Sequence, residues 1–455
     1  MRAMGVTQTN LPSRAPLWVR PLWVLTALVL LVGAAALGFR THAEAVVRQG
    51  ARAAGLMLAG KAAGLLAAML VMLQFSLSAR LKVLDRAFGL DRLLRVHRYF
   101  GASAGLLACT HPVLLFMTGV YPLGSFRWKL WPEFLGAIVL SVLFVVVVTS
   151  LWRQFLLLPF ESWRRIHQLT FVVAAMATVH ALSHGSDLAV SWMRLMWLAV
   201  FGGYAALFGW VKVIKPHQLL SRPFTVRAVQ QLNYNVCCIE LVVPPGGEFR
   251  HFPGQFAFLR VYGEDISAEE HPFTISSSPS TGGHLSFTIK ASGDFTKTVP
   301  NARVGDAATI DGPYGRFSYL LRTKPAEELL LIAGGVGITP FLSMLHYLAD
   351  TQPDRPVTLL WANRTRQDIF AKEDLEEMQK RMPNLGIHHV LSHERDWPGE
   401  TGFVDEDKLR WLLAEQLKRT CVFLCGPPPM MVSVSAALRK LGVSRRRIHT
   451  ERFAL

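Results

Sequence analysis

Four histidines lie in stretches of the sequence that are otherwise almost entirely apolar. His97 and His111 are fourteen residues apart in RVHRYFGASAGLLACTH, and His167 and His180 are thirteen apart in RRIHQLTFVVAAMATVHALSH. On a helix, fourteen residues correspond to about 21 Å of rise and bring two side chains within about 40° of the same face. The spacing therefore predicts one helix that carries two imidazoles at two depths.

The second pair repeats this arrangement, because both helices are predicted to cross a membrane in the same direction. His97 then lies at the depth of His167, and His111 at that of His180. A neutral imidazole on each side completes a six-coordinate haem iron, so the four histidines predict two stacked b-type haems. A single intramembrane histidine would more simply be a packed residue. Thirteen residues rotate by about 220° on an ideal helix, so the second helix must tilt or distort, and His184 is a rival ligand.

The elements that must position these histidines are transmembrane helices. Of the 455 residues 51% are hydrophobic, and the long apolar runs end at about residue 213. A membrane core takes about 20 helical residues. Six runs reach that length, at residues 17–39, 53–78, 96–120, 134–157, 165–185 and 190–213. We expect the first to be an uncleaved anchor, because its apolar core is longer than that of a signal peptide.

Basic residues predict the orientation of these spans. They cluster between the second and third spans, around residues 153–165 and around 212–215. This places both termini and the soluble part in the cytoplasm, at a bacterial-type inner membrane. Arg40, Arg48 and Arg52 on the first outer loop oppose this orientation mildly. Topology and anionic membrane lipid explain the net charge of +16 without a nucleic-acid partner.

The rest of the chain predicts two soluble domains after a transmembrane domain at residues 1–215. Residues 216–323 contain short segments such as CCIELVVPP and LSFTIKASG, which predict an antiparallel β-barrel. Residues 324–455 alternate strand, glycine-rich turn, helix and strand, which predicts a Rossmann-like α/β domain. The five cysteines show no paired spacing and predict neither a disulfide framework nor a zinc site.

Five motifs follow one another in the soluble part. They are HPFTISSSP (271–279), GDFTK (293–297), DGPYG (311–315), GGVGITP (334–340) and CGPPPM (425–430). In this order they resemble the ferredoxin-reductase-type module that binds FAD and NADPH. With the membrane histidines, the chain resembles the NADPH oxidase and ferric reductase family of transmembrane flavocytochromes b from about residue 50 onward. The resemblance implies FAD, NADPH and two b-type haems as cofactors.

The resemblance also assigns the flavin-binding residues. The HPFT motif would put Phe273 and Thr274 against the isoalloxazine, with His271 and Pro272 shaping the pocket. The FAD pyrophosphate would be held by cationic and hydrogen-bonding groups at Lys290, Gly293 and Thr296.

The NADPH site is assigned in the same way. Its diphosphate turn comprises Gly335, Gly337, Ile338, Thr339 and Pro340. The segment beside the nicotinamide comprises Cys425, Gly426 and Pro427. Arg364 occupies the position at which members of the family bind the 2'-phosphate of NADPH, and Arg366 is a second candidate. Phe453 matches the C-terminal aromatic residue that stacks on the flavin, although two further residues follow it here.

The implied activity is electron transfer from cytosolic NADPH to an acceptor outside the cytoplasm. NADPH gives two electrons as hydride, haem iron takes one, and FAD exchanges either number. The product would be superoxide from oxygen, or Fe(II) from a ferric chelate. A transporter with a redox-sensing domain is the alternative from another class, but its expected repeats and broken helices are not evident. Without a calcium-loop pattern, we expect activity that needs no protein activator.

Charged residues bear on the acceptor. Lys61 lies inside the second span, where ionisable residues are costly, and the oxidases of the family have a basic residue near the outer haem. Its side chain could equally reach the interface. Against oxygen, Leu115 stands where the oxidases often carry a further histidine. Near the inner pair are three arginines that either meet haem propionates or only mark the cytoplasmic side, namely Arg98, Arg164 and Arg165.

Overall fold

The computed structural model describes residues 11–12, 15–36, 50–119, 131–184, 191–324, 327–413 and 420–452. The chain divides into two compact units, with the boundary between Pro216 and His217. In the first unit the described regular elements are helices, and the described strands all belong to the second. A helical part therefore precedes a β-containing part, as the distribution of apolar residues predicts.

Most of the described helices of the first unit are long and apolar, and three have eight residues or fewer. In order they are α1 (Val19–Ala36), α2 (Ala51–Ser78), α3 (Lys82–Phe88), α4 (Leu90–Phe116), α5 (Trp131–Leu151), α6 (Phe160–His167), α7 (Thr170–His184), α8 (Ser191–Gly209) and α9 (Lys215–Leu220). A π-helical turn at Trp210–Ile214 joins α8 to α9. The helix therefore continues past residue 215, where the sequence predicts the end of the transmembrane domain.

Five helical segments among the described residues are long and apolar enough to cross a membrane. They are Ala51–Ser78, Leu90–Phe116, Trp131–Leu151, Phe160–Ser183 and Arg194–Leu220. The predicted span at the start of the chain corresponds to a shorter apolar stretch, Val19–Gly33. The helix itself continues to Ala36, the last described residue before position 50. The structure therefore supports five of the six predicted spans.

Apolar packing around α2 holds the membrane unit together. Met72 of α2 is fully buried in a cluster that includes Trp197 of α8. A second cluster joins Ala104 of α4 to Leu143 of α5 and Val173 of α7. Because these clusters are shared between helices, they fix the positions of α4, α5 and α7, on which the predicted site depends.

Six antiparallel strands begin the second unit. They are β1 (Phe224–Asn233), β2 (Val236–Val242), β3 (Phe256–Tyr262), β4 (His271–Thr274), β5 (His284–Lys290) and β6 (Ala307–Tyr314), in the order β4-β3-β6-β1-β2-β5. A bridge between Ile275 and Phe287 links the two ends of this order, so the sheet curls back on itself. The short helix α10 (Asp294–Thr298) follows β5. An antiparallel domain is therefore confirmed at this point of the chain.

A parallel sheet between two layers of helices completes the unit. Its strands are β7 (Glu328–Gly334), β8 (Val357–Asn363), β9 (Leu385–Leu391), β10 (Glu400–Thr401), β11 (Thr420–Cys425) and β12 (Ile448–Glu451), in the order β10-β9-β8-β7-β11-β12. Its helices are α11 (Thr339–Thr351), α12 (Lys372–Arg381), α13 (Glu406–Leu413) and α14 (Pro428–Lys440). The chain starts at β7 and extends the sheet in both directions. The strand order therefore reverses between β7 and β11, and ligands of such sheets bind at the carboxyl ends of the strands there.

Candidate functional site

The four histidines meet in two pairs inside the membrane unit. α4 carries His97 and His111, and the opposing residues are His167 at the end of α6 and His180 in α7. The imidazole centroids of the inner pair, His97 and His167, are 5.9 Å apart. Those of the outer pair are 6.3 Å apart. Two metal–nitrogen bonds of about 2 Å and a ring radius of about 1 Å on each side give about 6 Å. Each pair is therefore spaced to hold one metal ion between its rings.

A break between α6 and α7 accommodates the thirteen-residue spacing. The Leu169 amide donates to the Ile166 carbonyl at 3.0 Å, three residues back, so the chain turns more tightly here than an α-helix. This changes the rotation between His167 and His180 and lets both face α4. The distortion that the spacing requires is therefore present. The side chain of His184 lies outside the described part of the chain.

Both histidines of the outer pair donate through Nδ1 to backbone carbonyl oxygens. His111 Nδ1 lies 2.7 Å from the oxygen of Gly60 in α2. His180 Nδ1 lies 2.8 Å from the oxygen of Pro132 in α5. Because a carbonyl oxygen only accepts, each ring carries its proton on Nδ1 and its lone pair on Nε2. This tautomer, held by a hydrogen bond from the other nitrogen, is the usual state of a metal-binding histidine.

Glycines make room for these two rings. A Cβ atom on Gly64 would lie 2.7 Å from His111 Nδ1, and one on Gly136 would lie 2.7 Å from His180 Cε1. Such contacts are too short for carbon, so any larger residue would displace the imidazole. Gly60, Gly64 and Gly136 belong to none of the motifs that predict this site. The first two form a small-xxx-small pattern, a known signal of close helix approach.

The inner pair has different polar partners. His167 Nδ1 lies 3.1 Å from Ser150 Oγ, which also accepts from Trp163 Nε1 at 3.2 Å. The Trp163 and His167 rings stack with centroids 5.1 Å apart. His97 Nδ1 is buried beside the backbone of Gln74 and forms no hydrogen bond of normal geometry among the described residues. Ser150 and Trp163 belong to no motif, so the sequence gives no signal for them.

The two histidine pairs fit a metal ion that already has most of its ligands from a bound cofactor. Among the described residues, no group of three or more His, Cys, Asp or Glu side chains could hold a metal ion. Two imidazoles on opposite sides of an iron suit a haem, in which the macrocycle supplies the other four nitrogens. On α2, half-buried Lys61 lies between Gly60 and Gly64 in sequence. At the inner depth, Arg98 and Arg165 are exposed and Arg164 is half-buried.

The residues assigned to the flavin lie in β4 and around α10. β4 consists of His271, Pro272, Phe273 and Thr274. The His271 imidazole pairs with Glu269 at 2.9 Å and stacks on Phe295 of α10. The rings of Phe273 and Phe295 are also nearly parallel, with centroids 6.2 Å apart. The structure therefore brings the HPFT and GDFTK motifs together.

The turn after β5 completes this region. Lys290 ends β5 and is half-buried. The Thr296 hydroxyl accepts from the backbone amides of Ser292 and Gly293 at 2.9 and 2.8 Å, which shapes the turn at the start of α10. A cationic side chain followed by a polar turn suits a phosphate group.

The glycine-rich motifs of the α/β domain meet where its strand order reverses. β7 ends at Gly334 and β11 at Cys425. A Cβ on Gly337 would lie 2.4 Å from the Cys425 carbonyl oxygen, and Gly426 has the Gly334 amide nitrogen 3.0 Å from its own Cβ position. Only glycine allows the backbones to approach so closely. Pro427 follows and begins the path into α14.

Gly335 leaves one side of this crevice open. Its φ of +55° lies in the left-handed region that favours glycine, and nothing lies within 4 Å of its Cβ position. The Trp361 indole donates to its carbonyl at 2.9 Å and holds the turn. Ile338, Thr339 and Pro340 lead into α11. The half-buried turn at Gly335 and the N-terminus of α11 together can receive a diphosphate.

Arg364 and Arg366 follow β8 but differ in their surroundings. Arg366 donates through Nε to Glu394 at 3.1 Å, and its backbone amide donates to the same carboxylate at 3.0 Å. Arg364 is exposed and forms no ion pair with any described residue. Its guanidinium is therefore the better placed of the two to receive a bound anion.

Cys425 and Phe453 complete the predicted residues. Cys425 is fully buried, and burial, followed by the nearby Glu451 carboxylate, raises the pKa of its thiol well above the usual range. The thiol is therefore neutral at physiological pH, and a chemical role for it stays a prediction. Phe453 lies outside the described residues.

Three family models match successive parts of the chain. A ferric reductase like transmembrane component matches residues 63–178, an FAD-binding domain matches 221–318, and an oxidoreductase NAD-binding domain matches 331–436. The first range contains His97, His111 and His167, and the other two contain the flavin and nucleotide motifs. FAD- and NAD(P)H-binding domains therefore follow a membrane domain in this protein.

Relatives and solved structures resemble about half of the chain. The glycine betaine monooxygenase reductase subunit of Chromohalobacter salexigens is 30% identical over 256 residues, which cover 52% of this chain and 68% of that protein. NADH-cytochrome b5 reductase 1 of Dictyostelium discoideum is 27% identical, covering 52% of this chain and 84% of that protein. The flavohem-like FAD/NAD-binding domain of nitric oxide dioxygenase from Vibrio cholerae is 26% identical with a TM-score of 0.45, covering 51% of this chain and 98% of that domain.

Proposed function

Because the chain belongs to the ferric reductase and NADPH oxidase type of transmembrane flavoproteins, we propose that it carries electrons from cytosolic NADPH through FAD and two b-type haems to oxygen outside the cytoplasm, forming superoxide. Its three domains make it a membrane oxidoreductase that binds FAD and NAD(P)H. The proposal of two haems depends on the two histidine pairs, whose ring centroids are 5.9 and 6.3 Å apart.

The residues present fit two haems. His97 and His167 would hold the inner one, and His111 and His180 the outer one. When bound, the haems and FAD would supply one-electron carriers, and FAD would also accept the hydride of NADPH. The outer histidines donate through Nδ1 to carbonyls, so in this tautomer Nε2 carries the lone pair that a haem iron would bind. With two histidines of the chain holding each haem, oxygen would be reduced without binding the iron.

On the cytosolic side, the chain would bind and orient the donor. Backbone amides of residues 335–339 and the N-terminus of α11 would hold the NADPH diphosphate. Arg364 would contact the 2'-phosphate and favour NADPH, although one relative is named an NADH-cytochrome b5 reductase. Phe273 and Thr274 would lie against the flavin ring. Lys290 and the turn with Gly293 and Thr296 would hold the FAD pyrophosphate.

The distribution of basic residues supports a bacterial-type inner membrane with both termini and the soluble domains in the cytoplasm. NADPH then binds inside, and the pair formed by His111 and His180 lies near the outer surface. Anionic lipid at the cytoplasmic face would balance part of the net charge of +16. The direction of electron flow follows from where the donor is available.

Lys61 supports oxygen as the acceptor. It follows Gly60, whose carbonyl accepts from His111, and precedes Gly64 by three residues. A cation at this depth would stabilise the negative charge that develops on oxygen, and the effect is stronger where water is scarce. A ferric chelate is the second candidate acceptor. The description of the family model over residues 63–178 and the presence of Leu115 favour it.

Purified protein should therefore be supplied with NADPH and either oxygen or ferric citrate as the sole acceptor. We expect oxygen consumption with superoxide that superoxide dismutase removes. Lys61→Leu should lower superoxide formation while haem content and haem reduction by NADPH stay normal, and Lys61→Arg should retain much of the activity. If the Lys61→Leu variant, with its full haem content, formed superoxide at the parental rate, Lys61 would have no role in oxygen reduction. Turnover with ferric citrate alone would favour the ferric reductase.

A further inference from the structure

The Ser150 hydroxyl lies at the centre of a hydrogen-bonded group beside the inner histidine pair. Ser150 is in the last turn of α5, and Trp163 and His167 are one turn apart on α6. The Ser150 oxygen lies 2.6 Å from the Val146 carbonyl, 3.2 Å from Trp163 Nε1 and 3.1 Å from His167 Nδ1. All three neighbours are within hydrogen-bonding distance of one oxygen.

The direction of each hydrogen bond follows by elimination. The Val146 carbonyl only accepts, so the Ser150 hydroxyl donates its single proton there. The Trp163 indole nitrogen only donates, so its proton points at the Ser150 oxygen. The remaining contact therefore has His167 Nδ1 as the donor. This fixes the His167 tautomer, with the proton on Nδ1 and the lone pair on Nε2, on the side available to a metal.

The outer histidines have stronger acceptors. His111 and His180 donate to backbone carbonyls at 2.7 and 2.8 Å, whereas His167 donates at 3.1 Å to a hydroxyl oxygen that it shares with Trp163. Donation from Nδ1 to an acceptor makes the imidazole a more basic ligand, which stabilises ferric iron and lowers its reduction potential. Sharing the acceptor weakens that effect at His167.

We propose that Ser150 and Trp163 are positioning residues that set the reduction potential of the inner haem site in opposite directions, through the hydrogen bond from His167. Ser150 lowers the potential by accepting the hydrogen bond that His167 Nδ1 donates. Trp163 raises it by competing for the same oxygen. The proposal rests on the haem sites of the proposed function.

The test measures midpoint potentials by spectroelectrochemical titration in a His111→Leu background, so that the inner site is the one observed. Ser150→Ala should raise the inner potential, because His167 loses its acceptor. Trp163→Phe should lower it, because the ring still stacks on His167 while the competing N–H is gone. Ser150→Thr should keep the parental potential, since the neighbouring Thr149 shows that a threonine here can donate to the carbonyl four residues back, at 2.7 Å.

Ser141→Ala is the matched control. Ser141 lies on the same helix and donates to the Ala137 carbonyl four residues back at 2.8 Å, but it is exposed and touches no histidine. Its removal should leave the potential unchanged. Thermal unfolding of each variant shows whether the fold is intact, and the Ser150→Thr variant supplies the comparison if Ser150→Ala is unstable.

Three outcomes would overturn the proposal. The first is a shift of Ser150→Ala no larger than that of Ser141→Ala. The second is a shift of Ser150→Ala and Trp163→Phe in the same direction, as general loosening of the site would produce. In both cases the parental protein still holds two haems, so the proposed function stands. Parental protein without haem would instead remove the proposed function together with this inference.

Discussion

His111 Nδ1 lies 2.7 Å from the Gly60 carbonyl oxygen, and the same register of α2 against α4 brings the Gln74 backbone beside His97. The two helices are antiparallel, so fourteen residues forward from Gly60 to Gln74 match fourteen residues back from His111 to His97. α2 therefore passes both histidines of α4. Gly60 and Gly64 lie against His111, which makes single substitutions there informative about the outer site alone.

Gly64→Ala should remove the outer haem and spare the inner one. The new Cβ would lie 2.7 Å from His111 Nδ1 and push the ring away from its partner. Gly55→Ala on the same helix is the control, because nothing lies within 4 Å of its Cβ position. Haem per polypeptide, measured as the pyridine haemochrome, should be halved in the first variant and unchanged in the second. Full haem content in Gly64→Ala would show that the ring can move without losing its role.

Replacement of the histidines themselves should separate the two sites. His111→Leu or His180→Leu should lose one haem and leave flavin reduction by NADPH intact. His97→Leu or His167→Leu should block electron entry, so the outer haem should stay oxidised under NADPH. Absorption spectra after NADPH and after dithionite measure both effects. Two haems retained in His180→Leu would point to His184 as the ligand.

Arg364→Ala should raise the NADPH requirement and leave that for NADH nearly unchanged. A charge-assisted contact with the 2'-phosphate is worth about 1.5–3 kcal/mol, roughly ten- to a hundredfold in apparent affinity. Arg366→Ala is the matched control, because its guanidinium is paired with Glu394. Initial rates with each nucleotide make the comparison. Equal losses for NADPH and NADH would assign Arg364 another role.

Gly337→Ala should abolish flavin reduction by NADPH while both haems remain reducible by dithionite. Its Cβ would lie 2.4 Å from the Cys425 carbonyl oxygen and force apart the two turns at the strand-order reversal. Gly282→Ala, at a position with nothing within 4 Å, should keep the parental rate. Stopped-flow bleaching of the flavin is the measurement. A parental rate in Gly337→Ala would show that the close approach of these turns is dispensable for donor binding.

Several features of this protein follow from its sequence because they are local. Helix periodicity puts His97 and His111 on one face of one helix, whatever surrounds them. The run of apolar residues identifies the long membrane helices, and the strand and turn pattern identifies an antiparallel domain followed by an α/β domain. The first predicted span is described only in part, as the apolar stretch Val19–Gly33.

Tertiary structure decided the features that depend on contacts between distant segments. The spacings predict that His111 and His180 share a depth, but their ring separation and the carbonyls of Gly60 and Pro132 that fix their tautomers come from helix packing. The close approach of Gly337 to the Cys425 carbonyl also depends on tertiary structure, because the strand order of the sheet brings these two turns together. A helix or strand is specified by neighbours in the chain, whereas the partner of a side chain is specified by how whole elements pack.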